Sequence, residues 1–132
     1  MSKEFVDFDV IKNKLDNIRK NVYFQDKINI LMFVFSLLLN LGIWLSLYLK
    51  IRPVEYLIPL HFNIYFGIDF IDKWTKVFTI PILGLIFIFI NFFLSYILYS
   101  QEKILSHLLN TAAVFIQCLL ILAGIGVIIL QQ

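Results

Sequence analysis

The run Ile28–Leu49, INILMFVFSLLLNLGIWLSLYL, decides the fold of this chain. Its 22 residues carry no charge, and at about 1.5 Å per residue a helix of this length crosses the roughly 30 Å hydrocarbon core of a bilayer. No small-x-small cleavage site ends the run, so we interpret it as an uncleaved signal anchor and not as a signal peptide. Trp44 and Tyr48 near its end fit the aromatic belt of a membrane interface.

Two further apolar runs lie downstream, at Val77–Tyr99 and Leu108–Leu130. Each is also long enough to cross a bilayer. Because the polar link 100–107 between them is short, we expect these two helices to form an antiparallel pair. The sequence therefore predicts an all-α membrane protein with spans at 28–49, 77–99 and 108–130. It has an N-terminal segment 1–27 and a membrane domain 28–132, in which an ordered loop 50–76 joins the first two helices.

The overall composition supports this class of protein. A chain of 132 residues with 61% hydrophobic and 15% charged residues cannot bury its apolar surface in a soluble core. The net charge of +2 leaves no nucleic-acid footprint. Cys118 is the only cysteine, which excludes an intramolecular disulfide and a cysteine-rich metal site. No cofactor is predicted.

The N-terminal segment has apolar residues at helical spacing, which predicts an amphipathic helix. Basic side chains flank the stripe, so the helix suits the surface of the cytoplasmic leaflet, with the lipid bilayer as its partner. Packing against a partner protein or a second copy, as a short coiled coil, is the alternative. The stripe consists of Phe8, Ile11, Leu15, Ile18 and Val22.

The positive charges predict the orientation of the chain. Seven basic residues lie on the side shared by the N-terminus and the link 100–107, and four lie on the other side. By the positive-inside rule, the N-terminus is cytoplasmic, and the loop 50–76 and the C-terminus are external, in the cell membrane.

Three amide side chains, Asn40, Asn91 and Gln117, lie inside the predicted spans. Counted along the helices, all three fall in the middle-to-cytoplasmic part of the membrane, where we expect interhelical hydrogen bonds worth about 0.6–2 kcal/mol each. Three short helices offer these amides few internal partners, so a homo-oligomer or a place in a larger membrane complex is predicted.

The loop 50–76 carries the most specific chemistry of the chain. Alternation over residues 54–63 and 65–69 predicts two extended pieces around a turn, with Pro59 on an edge. A short interfacial helix over residues 68–76 is the alternative. For His61 and Asn63 we expect hydrogen bonds that hold the backbone of the loop, with direct contact to a partner as the alternative.

A metal site in this loop would have to use His61 together with Glu55, Asp69 and Asp72. One histidine with scattered carboxylates matches no specific metal spacing. The sequence therefore predicts no metal.

The order Pro59-x-His61-x-Asn63, followed by a glycine and a lysine, resembles the Pro-x-His-x-Asn...Gly...Lys signature of a small domain of unknown function in bacterial membrane proteins of the SdpI immunity type. The resemblance covers roughly residues 31–99. It implies an exported-side recognition loop held between two helices. The residues singled out for partner binding are Pro59, His61, Asn63, Gly67, Asp69, Trp74 and Lys76.

The specific chemistry lies outside the spans, while the spans hold neutral amides. The sequence therefore predicts a non-enzymatic bacterial envelope protein of a binding, accessory or immunity-like kind, with a peptide or protein ligand at the external loop. No Gly-x-Ser-x-Gly elbow, His-Glu-x-x-His helix or phosphate-binding glycine loop is present. A small transporter or channel subunit that acts as an oligomer is the alternative.

Overall fold

The structure is a computed structural model that describes Asn13 and residues 21–131. The amphipathic stripe predicted from Phe8 to Ile18 lies outside the described residues. The described chain is mainly helical. Its elements, in chain order, are helix α1 (Val22–Gln25), helix α2 (Lys27–Lys50), strand β1 (Ile58–Asn63), strand β2 (Gly67–Asp72), a 3-10 helix (Trp74–Phe78), helix α3 (Thr79–Leu98) and helix α4 (Lys103–Ile129).

Three helical segments are long and apolar enough to cross a membrane: α2, the segment Trp74–Leu98 that contains α3, and α4. Large apolar side chains on these helices face outward; Leu31, Leu41 and Phe93 are each at least 62% exposed. Amides and hydroxyls, such as those of Asn40 and Ser95, share the interior with apolar side chains such as Leu47. A bilayer solvates such an inverted arrangement, since lipid tails accept apolar surface and leave polar groups to pair inside the bundle. The prediction of three helices long and apolar enough to cross a membrane is confirmed.

The helix boundaries follow local chemistry as well as hydropathy. Asp26 caps α2, because its carboxylate oxygen Oδ1 accepts hydrogen bonds from the backbone N–H groups of Ile28 (3.0 Å) and Asn29 (3.4 Å). Helix α4 begins at Lys103, whereas the third apolar run begins at Leu108. The difference arises because a helix continues past the apolar residues that hydropathy detects, and the link between α3 and α4 is correspondingly shorter.

The segment between α2 and α3 contains an antiparallel two-stranded sheet, which the all-α fold class left out. The strands pair Ile58 with Asp72 at the base and Asn63 with Gly67 at the tip. Gly67 has a φ of +76°, the left-handed conformation that a glycine adopts without steric cost after a three-residue hairpin loop. The loop pattern therefore favoured the right local structure, two extended pieces around a turn.

The base of this hairpin packs on the ends of the membrane helices. Ile58 is 3% exposed and belongs to one apolar cluster with Leu47 of α2 and Val127 of α4. Trp44 stacks on Phe78 with ring centroids 5.5 Å apart. These contacts hold the base of the hairpin and the 3-10 helix after it against the bundle, so the hairpin tip has a fixed position relative to the helices.

Candidate functional site

Among the described residues, the hairpin tip is the most exposed apolar feature outside the helices. Ile64, Tyr65 and Phe66 are 88%, 88% and 83% exposed. The turn that presents them is held by Asn63, whose side-chain oxygen Oδ1 accepts a hydrogen bond from the backbone N–H of Tyr65 at 2.9 Å. Three large apolar side chains are thus displayed on an ordered turn.

His61 and Asp69 lie beside each other on the exposed faces of the two strands. The ring nitrogen Nδ1 of His61 is 2.6 Å from Oδ1 of Asp69. The side chains are 61% and 37% exposed, and surface pairs of this kind add little stability. The contact therefore serves mainly to fix the orientation of the imidazole, whereas Asn63 bonds the loop backbone directly.

The remaining motif residues lie toward the base of the hairpin. Pro59 pairs with Ile71 in the sheet, and Trp74 begins the 3-10 helix, where its ring contacts Phe78. The backbone oxygen of Lys76 accepts a hydrogen bond from the Thr79 hydroxyl, and the lysine is exposed. The structure thus brings His61, Asn63, Gly67 and Asp69 together along the hairpin and leaves Trp74 and Lys76 at its foot.

A groove of about 580 Å³ runs between β1 and the helix ends. Leu60, His61 and Phe62 form one wall, and residues of α4 such as Ala123 and Gly126 form the other. Within the described residues, no three His, Cys, Asp or Glu side chains converge as metal ligands. The groove is therefore an apolar surface with one imidazole at its edge.

Two of the three predicted intramembrane amides meet at the centre of the bundle. The Asn40 amide nitrogen Nδ2 donates to Gln117 Oε1 and to the Pro81 backbone oxygen, both at 3.0 Å. The Gln117 amide donates to the backbone oxygen of Gly84 at 3.0 Å. Asn91 does not join them; it donates to the Phe87 carbonyl of its own helix at 2.9 Å. Each amide thus has a partner within one chain, which removes the reason for expecting an oligomer on their account.

A larger buried network, which we call the polar cluster, lies at the end of the bundle opposite the hairpin. Asn110 is central to it: its amide nitrogen lies 2.8 Å from Asn29 Oδ1, 2.8 Å from Ser95 Oγ and 3.2 Å from the Tyr23 hydroxyl. Ser106 links Asn29 to Ser95 through its hydroxyl. The members of the polar cluster are Tyr23, Asp26, Asn29, Ser95, Tyr99, Lys103, Ser106, His107 and Asn110.

Asp26 is the carboxylate of the polar cluster and lies at its mouth, next to the exposed Lys103. Its oxygen Oδ2 accepts a hydrogen bond from the Tyr99 hydroxyl at 2.9 Å and lies 2.9 Å from His107 Nε2 and 3.3 Å from Lys103 Nζ. Burial opposes ionisation, but the hydrogen bonds from His107, Tyr99 and Lys103 outweigh it and hold the pKa of the Asp26 carboxyl well below its ordinary value. The cluster therefore contains a buried, ionised carboxylate.

Sequence reasoning missed the polar cluster because it considered only amides deep inside the spans. A signal was present: Asn29 and Asn110 lie just inside the first and third apolar runs, and Ser95 lies near the end of the second. In an antiparallel bundle these three positions share one membrane boundary. Comparing the depths of polar residues at the membrane boundaries, as well as at the membrane centre, would have grouped these three residues.

The fold and its sites define a class: a protein with three helices long and apolar enough to cross a membrane, polar side chains between them, and a hairpin with an apolar tip between the first two helices. Comparisons with protein-family models, with curated proteins and with solved structures give no significant match.

Proposed function

We propose that this chain is a non-enzymatic binding or accessory protein of a bacterial cell envelope, in which the external hairpin recognises a peptide or protein partner. Its action would be immunity-like in the sense of the SdpI-type resemblance. Assembly as a homo-oligomer or within a larger membrane complex would then rest on the hairpin, because the intramembrane amides are already paired within the chain. The observation that carries the proposal is the exposed tip formed by Ile64, Tyr65 and Phe66.

The tip has the physical properties of a recognition surface. Exposed clusters of large apolar side chains on ordered turns mark interaction sites, and aromatic residues supply most of the binding free energy in such sites. The backbone at Tyr65 and Phe66 loses little conformational entropy on binding, because the Asn63 hydrogen bond and the Gly67 turn already order it. The groove lined by His61 and Phe62 adds a second apolar surface on the same hairpin.

The alternative, a transporter or channel subunit, receives less support from the geometry. Transport needs polar groups that line a path at mid-depth. Asn40 and Gln117 instead use their hydrogen bonds on each other and on the helix backbone, and both are at most 1% exposed. Opening a path here would first require breaking these contacts.

Site-specific photocrosslinking in native membranes tests the proposal. A photoreactive residue at position 64 should capture one defined partner, and changing Tyr65 and Phe66 to Ser should lower the yield roughly tenfold or more, the loss expected for aromatic hot spots. Tyr48→Ser is the matched control, since Tyr48 is 74% exposed on α2 and outside the hairpin. Equal yields from all variants would refute recognition by the tip. A solute flux in proteoliposomes that Asn40→Leu removes would establish the transport alternative.

A further inference from the structure

A separate cavity of about 500 Å³ lies at the foot of the hairpin, between the C-terminal ends of α2 and α4 and the chain that leads into β1. Lys50 and Arg52 line it from the end of α2, and Gln131 lines it from the end of α4. The apolar wall of the cavity is formed by Val54, Ile58 and Leu130. The cavity thus combines two cations with an apolar side.

The donors in this cavity lack acceptors. No acidic side chain is among the described residues that line it, and neither Lys50 nor Arg52 forms an ion pair with a described residue. The amide nitrogen Nε2 of Gln131 is buried without a hydrogen-bond partner in the described part of the chain. Lys50 and Arg52 are exposed, so water can solvate both cations, whereas a buried amide nitrogen such as that of Gln131 almost always has a partner. The amide therefore indicates a bound acceptor, and the two cations beside it favour an acceptor that carries negative charge.

The position of the cavity along the membrane normal limits the chemical class of that acceptor. Lys50 is the last residue of the membrane-crossing helix α2, and Leu130 directly follows α4. A helix that crosses the hydrocarbon core leaves it at such a position, which is the level of the lipid phosphates. An arginine there presents a planar set of N–H donors that matches two phosphate oxygens.

We propose that this cavity binds the phosphate of an anionic phospholipid, with Lys50, Arg52 and Gln131 as donors. The glycerol and upper acyl carbons of the lipid lie against Val54, Ile58 and Leu130. The site is distinct from the hairpin tip and does not depend on the proposed partner recognition. The same phosphate chemistry in free inorganic phosphate is separated from the lipid by the experiment.

Native mass spectrometry of the full-length protein from lipid discs that contain phosphatidylglycerol and phosphatidylcholine tests this site. We expect the protein to retain phosphatidylglycerol preferentially, and K50Q/R52Q to lower that retention about tenfold or more, as loss of charge-assisted hydrogen bonds predicts. K73Q/K76Q removes the same charge from the segment before α3, outside the cavity, and should leave retention unchanged. Gln131→Leu, which keeps both cations, should lower it several-fold.

Four results would overturn the proposal. Equal retention of the two lipids would show that the cavity does not select an anion. An equal loss in K73Q/K76Q would show general surface electrostatics in place of a site. Displacement of phosphatidylglycerol by millimolar inorganic phosphate would show that the ligand is a free anion. If K50Q/R52Q fails to fold, Gln131→Leu still decides, because unchanged retention in that variant refutes the assigned donor set.

Discussion

Asp26 connects parts of the molecule that are far apart in sequence. One carboxylate oxygen caps the start of α2. The other accepts a hydrogen bond from the hydroxyl of Tyr99, directly after α3, and lies beside His107 on α4. Its charge is retained despite burial because these contacts favour the ionised form. A single side chain therefore fixes the relative positions of all three membrane helices at this end.

Asp26→Asn should lower the free energy of unfolding by about 2 kcal/mol at neutral pH, since it removes charge-assisted hydrogen bonds and weakens a helix cap. The folded-state pKa of Asp26 is depressed, so its stabilisation is complete above the unfolded pKa of about 4 and is lost as the pH falls through the lower folded value. Chemical unfolding in micelles from pH 8 to pH 2 should show a constant difference between the wild-type and variant stabilities above about pH 4, and a difference that narrows steadily as the pH falls below that value. Glu102→Gln removes an exposed carboxylate at the same end of the bundle, and its difference in stability from the wild type should not narrow in this way.

At the scale of secondary-structure elements, the approach of α3 to the other two helices depends on Gly84. A Cβ atom at this position would lie 2.7 Å from Gln117 Oε1 and closer still to Asn40 Nδ2. Neither amide can move away without losing its own hydrogen bonds, because both are bonded to α3 backbone. The absence of a side chain at Gly84 is thus what allows the central amide pair to form.

Gly84→Ala should destabilise the bundle by about 1–3 kcal/mol, the usual cost of overpacking, with part of that loss coming from the Asn40 to Gln117 contact. Gly42→Ala and Gly126→Ala are matched controls, because a Cβ atom at either glycine meets nothing within 4 Å. Thermal unfolding in lipid discs measures the difference. A Gly84→Ala protein as stable as the two controls would mean that the central contact tolerates a methyl group and does not set the helix spacing.

The hairpin illustrates which elements the sequence could predict. The alternating pattern before Asn63 and the glycine at position 67 indicated two extended pieces and a turn, because both are local properties of the chain. The 3-10 helix Trp74–Phe78 overlaps the end of the interfacial helix 68–76 that was the alternative. The chain is therefore extended up to Asp72 and helical from Trp74. The partnership of His61 with Asp69 depends on the strand register, which residue spacing alone does not fix.

For the whole molecule, hydropathy predicted the three helices because lipid exposure acts on every residue of a span. Hydropathy could not predict which side chains are hydrogen-bonded in the interior, where the polar cluster joins residues more than 70 positions apart, such as Asn29 and Ser106. Such contacts depend on helix rotation, and the rotation is set by packing that no single span reveals. The same limit explains why Asn91 was expected beside Asn40 and Gln117 but bonds its own helix.

The orientation of the whole molecule is a separate prediction, which rests on charge. The hairpin lies at one end of the bundle, and Lys27 and Lys103 lie at the other. The excess of basic residues on the side of Lys27 and Lys103 predicts that this side is cytoplasmic and that the hairpin is external.

In a Cys118→Ser background, a membrane-impermeant maleimide applied to intact cells should label Tyr65→Cys, which lies at the exposed tip, and should reach Gln101→Cys only after the membrane is permeabilised. The native cysteine has to be removed because it is exposed on the outer surface of α4. The reverse labelling pattern would place the hairpin in the cytoplasm and with it any partner that the tip recognises. Labelling of both positions in intact cells would instead indicate a mixed topology, the result expected if seven basic residues against four were too weak a bias to fix the insertion.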